Sequence, residues 1–162
     1  MSEGRGAGEM GKPTVVSEER DREFAALARA QGHDPAGTFV GGYVDYEWRK
    51  GRHLFLEVPG GVEGKRVLEF GCHIGASAIV LDALGAKVTG IDVHAPTIEL
   101  AKVNAARYGA EGRFFGTDGL DTEEHARAVA ERDGMTYVSP YNDLEVLCGQ
   151  GTIGVEMVEQ LA

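Results

Sequence analysis

A short glycine turn and two acids carry the chemistry that this sequence suggests. Gly71 and Gly75 bracket the run GCHIG, which directly follows the apolar stretch Arg66–Phe70. Gly71 can turn the chain sharply out of a buried strand, and Gly75 can let the following helix start close to the sheet, with backbone N–H groups aimed at an anionic group. Asp92 stands 21 residues after Gly71, at the end of a second apolar stretch. A carboxylate there can accept hydrogen bonds from both hydroxyls of a ribose. A dinucleotide fingerprint needs glycine where this chain has His73, because the backbone must approach a pyrophosphate, so NAD is disfavoured. Glu69, two residues before Gly71, would repel a pyrophosphate and attract an ammonium or a sulfonium.

These charges suit a nucleoside with a cationic amino-acid tail and no phosphate. S-adenosylmethionine (SAM) is such a ligand, and its own carboxylate would take the helix N-terminus. Blander readings stand beside this one. The turn could be mere packing, and Cys72 is read as a small buried filler rather than a nucleophile, since nothing nearby is placed to lower its pKa. His73 and His94 are read as loop residues before they are read as bases. Arg49, Lys50, Arg52 and His53 form a basic cluster, read as a solvated helix face rather than a substrate dock.

The elements that must position these residues follow from the periodicity. Ser17 caps a helix rich in acids at its start and alanine inside, which stops at Gly32. The segment Tyr43–Leu56 is expected to be helical. Arg66–Phe70 is read as a strand, Ala76–Leu84 as a helix, Lys87–Val93 as a strand buried on both faces, and Thr97–Tyr108 as a helix preceded by Pro96 and closed by Gly109. A third strand is expected at Gly112–Gly116. Asp121 with Glu124 supplies a capping-box pair for a helix running to about Arg132. Thr136–Ser139 is read as a fourth strand. Asn142, Asp143, Gly149 and Gly151 punctuate a loop before a closing helix Thr152–Leu161, capped by Thr152 with Ile153, Met157 and Leu161 on its buried face. Strands alternating with helices imply an α/β fold, a Rossmann-like three-layer sandwich whose short parallel sheet has the order 3-2-1-4, with Thr136–Ser139 beside the first strand. Ligands bind such sheets beyond the carboxyl ends of the strands, where Glu69 to Gly75 lie.

The stretch VLEFGCHIGASAIVLDALGAKVTGIDVHAPTIELAKVNAARYG resembles the first two motifs of class I SAM-dependent methyltransferases, and the resemblance covers roughly residues 43–118. It implies that Glu69, Gly71 and Gly75 line the methionine end of the cofactor, with Cys72 and His73 completing the turn. Asp92 would hold the ribose, Val93 would pack beside the adenine, and Asp118 would accept from the adenine amine. Tyr43, Tyr46, Trp48 and Arg49 precede the first strand, in a region that lids the cofactor in similar proteins; core packing is the other reading. No catalytic residue is singled out, because methyl transfer can rest on orientation and desolvation. The methyl acceptor, a small molecule or another unidentified partner, is not legible.

Beyond Asp121 the match fades, and the sheet is truncated relative to a full methyltransferase. There HARAVAERDGMTYVSPYNDLEVLCGQGTIGVEMVEQL resembles an internal segment of fold-type II pyridoxal-phosphate enzymes, the threonine dehydratase and serine racemase group. Those enzymes need a Schiff-base lysine, and Lys12, Lys50, Lys65, Lys87 and Lys102 fall in no such context. No yellow colour is therefore expected. The domain expectation is a disordered tail over 1–16, a helical segment over 17–60, a SAM-binding half over 61–120, and a dehydratase-like α/β segment over 121–162. The alternatives to a methyltransferase are a non-catalytic nucleotide-binding or partner-binding module and a fragment related to a pyridoxal-phosphate dehydratase. An exposed strand edge would favour pairing into a homo-oligomer.

Composition bounds these readings. The chain has 162 residues, 43% of them hydrophobic, enough for one ordinary core. A net charge of -10 argues against nucleic-acid and anionic-membrane partners. No metal site is expected, since Cys72 and Cys148 have no metal-ligand spacing, and a cysteine inside a glycine turn suits a reducing cytosol. The chain has no apolar run of the roughly 18 residues that span a bilayer, and residues 1–16 lack the apolar core of a signal peptide. A cytoplasmic location is the expectation.

Overall fold

The computed structural model describes residues 11–116, 119–136 and 144–161. The chain divides into two compact units, Met1–Ala126 and Arg127–Ala162, and the division falls inside one helix. The described elements are α1 (Glu18–Ala30), α2 (Tyr43–Lys50), α3 (Arg52–Leu56), β1 (Arg66–Phe70), α4 (Ala76–Ala83), β2 (Lys87–Asp92), α5 (Ala95–Tyr108), β3 (Arg113–Gly116), α6 (Gly119–Asp133) and α7 (Leu144–Leu161).

The first unit is a mixed α/β arrangement around a short parallel sheet, consistent with a Rossmann-like fold. β2 lies between β1 and β3, with Phe70 opposite Ile91 and Asp92 opposite Gly116. Val88, Thr89, Gly90 and Ile91 are all buried, so both faces of β2 are covered. One face carries α4 and α5, which pack on each other, with Val80, Leu81, Val88, Ile98, Ala101 and Phe114 in a common core. Phe115 has the opposite strand phase to Phe114, and its ring centroid lies 5.5 Å from that of His125 in α6.

Two further helices brace this unit. The Ser17 side chain accepts from the Arg20 N–H at 3.2 Å and starts α1, whose first turn holds Glu18, Glu19 and Asp21 at the positive end of the helix dipole. Phe24 and Ala28 of α1 pack with Leu100 and Ile74. The buried Arg107 guanidinium sits 4.3 Å over the Phe24 ring, with its Nε 3.2 Å from Asp21 Oδ1. α2 packs on α4 and contributes Val44 and Trp48 to the main core. Val16 N–H donates to Arg107 O at 2.8 Å, so the last residue of the expected tail is tied to α5; residues 1–10 lie outside the described residues.

Several expectations are corrected. The described sheet has three strands in the order β1-β2-β3, which read from its other edge is the 3-2-1 part of the expected order 3-2-1-4; the fourth strand is not among the described strands. Thr136 carries no strand, and the rest of the fourth strand, residues 137–139, lies outside the described residues. The helical stretch Tyr43–Leu56 is two helices parted at Gly51. α6 begins at Gly119, so Asp121 is a residue of the helix and not its cap. In the second unit α7 begins at Leu144 and runs through Gly149 and Gly151, each a modest cost within a helix. Thr152 is therefore interior, and its hydroxyl donates to Gly149 O at 2.8 Å instead of capping. Met157 is 56% exposed rather than buried. The side chains of Ile153 and Leu161 lie outside the described residues. Among the described residues no helix is long and apolar enough to cross a membrane.

Candidate functional site

The carboxyl ends of β1 and β2 bring the two acids and the glycine turn together. Gly71 and Gly75 both adopt left-handed backbone, with φ of +77° and +71°. A Cβ on Gly71 would meet nothing within 4 Å, whereas one on Gly75 would lie 2.7 Å from the Phe114 ring. Backbone conformation thus requires the first glycine, and close packing requires the second as well. His73 is also left-handed, at φ +48°, so the residue standing where glycine is commonest takes the conformation that glycine favours.

Asp92 closes this turn. Its Oδ2 accepts from His73 N–H at 2.8 Å and its Oδ1 from His94 N–H at 3.0 Å. A carboxylate offers about four acceptor positions, so two remain for a ligand. Gly71 and Cys72 N–H both donate to Ile91 O, at 2.7 and 3.0 Å, and Gly75 N–H donates to Cys72 O at 2.8 Å. The free N–H groups expected for an anion are therefore largely spent within the fold. The site presents acids instead.

Glu69 is the most unusual of these acids. Its pKa is pushed up to about 7, first by burial, with Glu47 and Asp92 adding to the rise; the Ser77 hydroxyl and the Ala78 N–H oppose it. Its Oε2 is buried and has no hydrogen-bond partner. A buried, unpartnered carboxylate oxygen is costly, and a cation placed against it would relieve that cost.

Cys72 is buried at 3% exposure with Sγ against Gly90, where an added Cβ would come within 2.9 Å of it. Burial, followed by Glu69 and Asp92, pushes its thiol well above the ordinary range, so it is no thiolate. His73 is exposed, and its ring lies edge-on to Tyr43 with centroids 6.1 Å apart. His94 Nδ1 is 2.6 Å from Thr97 Oγ1. Val93, 50% exposed, offers a bare apolar surface next to Asp92. Asp118 lies outside the described residues.

Of the four residues considered for a lid, Tyr43 meets the turn at His73, and Tyr46 lies against Tyr43 with ring centroids 5.8 Å apart. Trp48 is in the core under Arg52, and Arg49 pairs with Asp45 at 2.9 Å. Sequence reasoning missed Phe39, Glu47 and Asn104. Asn104 is buried, and its Nδ2 donates to Ile74 O at 2.9 Å, fixing the turn from behind. A polar residue among the apolar positions Leu100, Ala101 and Ala105 of α5 was the signal available for it. Phe39 lies in a loop and Glu47 on a charged helix, where no pattern marks them. Among the described residues no cluster of His, Cys, Asp or Glu could hold a metal ion.

No protein-family model matches the chain. Catabolic L-threonine dehydratases from strains of Staphylococcus aureus are 41% identical over 83 residues, covering 49% of this chain and 24% of the relative. The chain thus spans about a quarter of the length of the curated relatives it matches. Among solved structures, one described under conversion of a disulfide bond into a thioacetal group during echinomycin biosynthesis is 33% identical with a TM-score of 0.36, covering 41% of this chain and 28% of its own. A Staphylococcus aureus protein provisionally described as a caffeoyl-CoA O-methyltransferase is 20% identical with a TM-score of 0.36, covering 67% of this chain and 55% of its own.

Proposed function

We propose that the first unit binds SAM at the carboxyl edge of β1 and β2, and that the protein is a SAM-dependent methyltransferase. The observation that carries the reading is the pairing of an orphaned Glu69 Oε2 with an Asp92 carboxylate that still has acceptor positions, on either side of one glycine turn. The residues fit the cofactor's charges. Glu69 would accept the ammonium of the methionyl tail, Asp92 the ribose hydroxyls, and Val93 would lie against the adenine, while Gly71, Cys72, His73 and Gly75 shape the floor. Asp118 would accept from the adenine amine.

SAM would supply an electrophilic methyl group. The chain's part is to orient the cofactor through these contacts and to exclude water with the Tyr43 side of α2. The glycine turn is held rigid by Asn104 and Asp92, so this geometry is set before a ligand arrives. A sheet of three described strands is short, and binding without turnover is the non-catalytic form of the same reading.

Calorimetry with SAM and S-adenosylhomocysteine, run beside Asp92→Ala, tests the site. The parent should bind both ligands, and Asp92→Ala should bind at least tenfold more weakly. A parent that binds neither, or a variant that binds as well as the parent, refutes it.

The dehydratase similarity favours a second reading, a fragment related to pyridoxal-phosphate enzymes. The residues present do not fit that cofactor. All five lysines of the chain are exposed, Lys65 donating to Pro59 O and Lys102 pairing with Glu99, and none offers the buried amine that a Schiff base requires.

A further inference from the structure

Phe39, Tyr43 and Tyr46 form an aromatic cluster beside the glycine turn. Their ring centroids lie 5.8 to 6.3 Å apart, and the planes are inclined by 34 to 62° rather than stacked. The cluster reaches the turn through the edge contact of Tyr43 with His73. Tyr43 packs against the core, but Phe39 is 67% exposed and Tyr46 37%. A single exposed aromatic needs no explanation, but three in mutual contact at the rim of a candidate site do.

Charge points to the kind of group that would cover them. Burial pushes the Tyr43 pKa up, and the nearby carboxylates of Glu47 and Glu69 add to the rise. Glu69, whose Oε2 has no hydrogen-bond partner, is among the acids that act on Tyr43. Ring faces with carboxylates nearby attract an organic cation and repel an anion. Elsewhere the protein covers aromatic faces with its own guanidinium groups: Arg52 lies over Trp48, and Arg107 over Phe24 and Tyr108. A cation within about 6 Å of a ring centroid gains the cation–π attraction, and three rings at this spacing can share one such point.

We propose that the Phe39–Tyr43–Tyr46 cluster is a docking site for the ammonium end of a small amine-bearing methyl acceptor, held beside the SAM site by ring faces near the Glu47 and Glu69 carboxylates. This deepens the methyltransferase reading and rests on it. The exposed rim at Phe39 is the entry, and the His73 end is the side nearest the cofactor floor.

Choline and its neutral isostere 3,3-dimethyl-1-butanol separate charge from shape. Titration of the full chain, followed by calorimetry or tyrosine fluorescence, should show choline binding at least fivefold more tightly than the isostere. Phe39→Leu and Tyr46→Leu should each weaken choline at least fivefold, and Phe39→Leu, at the exposed rim, should leave S-adenosylhomocysteine binding unchanged. Choline should still bind when S-adenosylhomocysteine is saturating. Equal binding of choline and the isostere, no binding of either, or choline binding indifferent to both variants overturns the proposal. Loss of choline binding under saturating S-adenosylhomocysteine overturns it too, because the rings would then belong to the cofactor. Choline binding by a parent that binds neither SAM nor its product overturns the acceptor role specifically, and so separates failure of the cofactor reading from failure of the aromatic site.

Discussion

Replacing Glu69 with glutamine should stabilise the protein at neutral and alkaline pH, and the size of the effect follows from one displaced proton equilibrium. In the unfolded chain this carboxyl titrates near its ordinary 4.5, whereas in the fold it titrates at about 7, first because of burial. The folded state therefore holds the proton more tightly than the unfolded state. Below about pH 4.5 both states are protonated and the residue costs nothing. As pH rises through the window from 4.5 to just above 7, the unfolded state gains from ionisation and the folded state does not, so stability falls. A shift of this size corresponds to about 3 kcal/mol at the plateau, a large share of the 5–15 kcal/mol typical of a domain.

The assay is urea unfolding of parent and Glu69→Gln at steps between pH 4.5 and 8.5. Other groups titrate in this range, so the quantity to follow is the difference between the two proteins. That difference should move by about 3 kcal/mol in favour of glutamine as pH rises, with most of the change complete by pH 7.5. Parallel profiles, with a difference changing by less than about 1 kcal/mol, would refute the reasoning, because an ionised Glu69 would then be as well solvated in the fold as in water. A natural residue that costs stability at working pH calls for a compensating use, and a bound cation is the use proposed above.

Three further outcomes follow from the same geometry. Gly71→Ala should cost about 1–2 kcal/mol through its left-handed backbone alone, and Gly75→Ala should cost about 1–3 kcal/mol more because its methyl group enters the Phe114 ring, a ranking that denaturant midpoints would show or reverse. Asn104→Ala strands the buried Ile74 carbonyl and should destabilise by about 1–3 kcal/mol in urea unfolding; a change within 0.5 kcal/mol would remove Asn104 as the anchor of the turn. Iodoacetamide at pH 8 should label the exposed Cys148 and spare Cys72 until the protein is unfolded, and mass spectrometry showing rapid native labelling of Cys72 would contradict its burial and raised pKa.

Local pattern was enough to make much of the first unit legible. The apolar runs at Arg66–Phe70 and Lys87–Asp92, the Ser17 cap and the stop at Gly109 each depend on residues close in sequence, so strands, helices and the glycine turn could be read directly. The sequence also placed Glu69 and Asp92 at the ends of neighbouring strands, since parallel crossovers bring successive carboxyl ends to one edge. In the second unit the same local rules misled: Gly149, Gly151 and Thr152 read as a loop and a cap, yet α7 runs through them.

What the tertiary structure decided is how each group is spent. The turn's N–H groups point inward to Ile91 O and Asp92, Cys72 turns beneath Gly90, and Trp48 goes to the core while Phe39 stays outside. None of these choices is encoded within a few residues, because each depends on which distant surface arrives opposite. Burial of Glu69 without a partner for Oε2 is the clearest case: residue type supplied the charge, and only the packing of the fold around it turned that charge into an unmet demand for a cation.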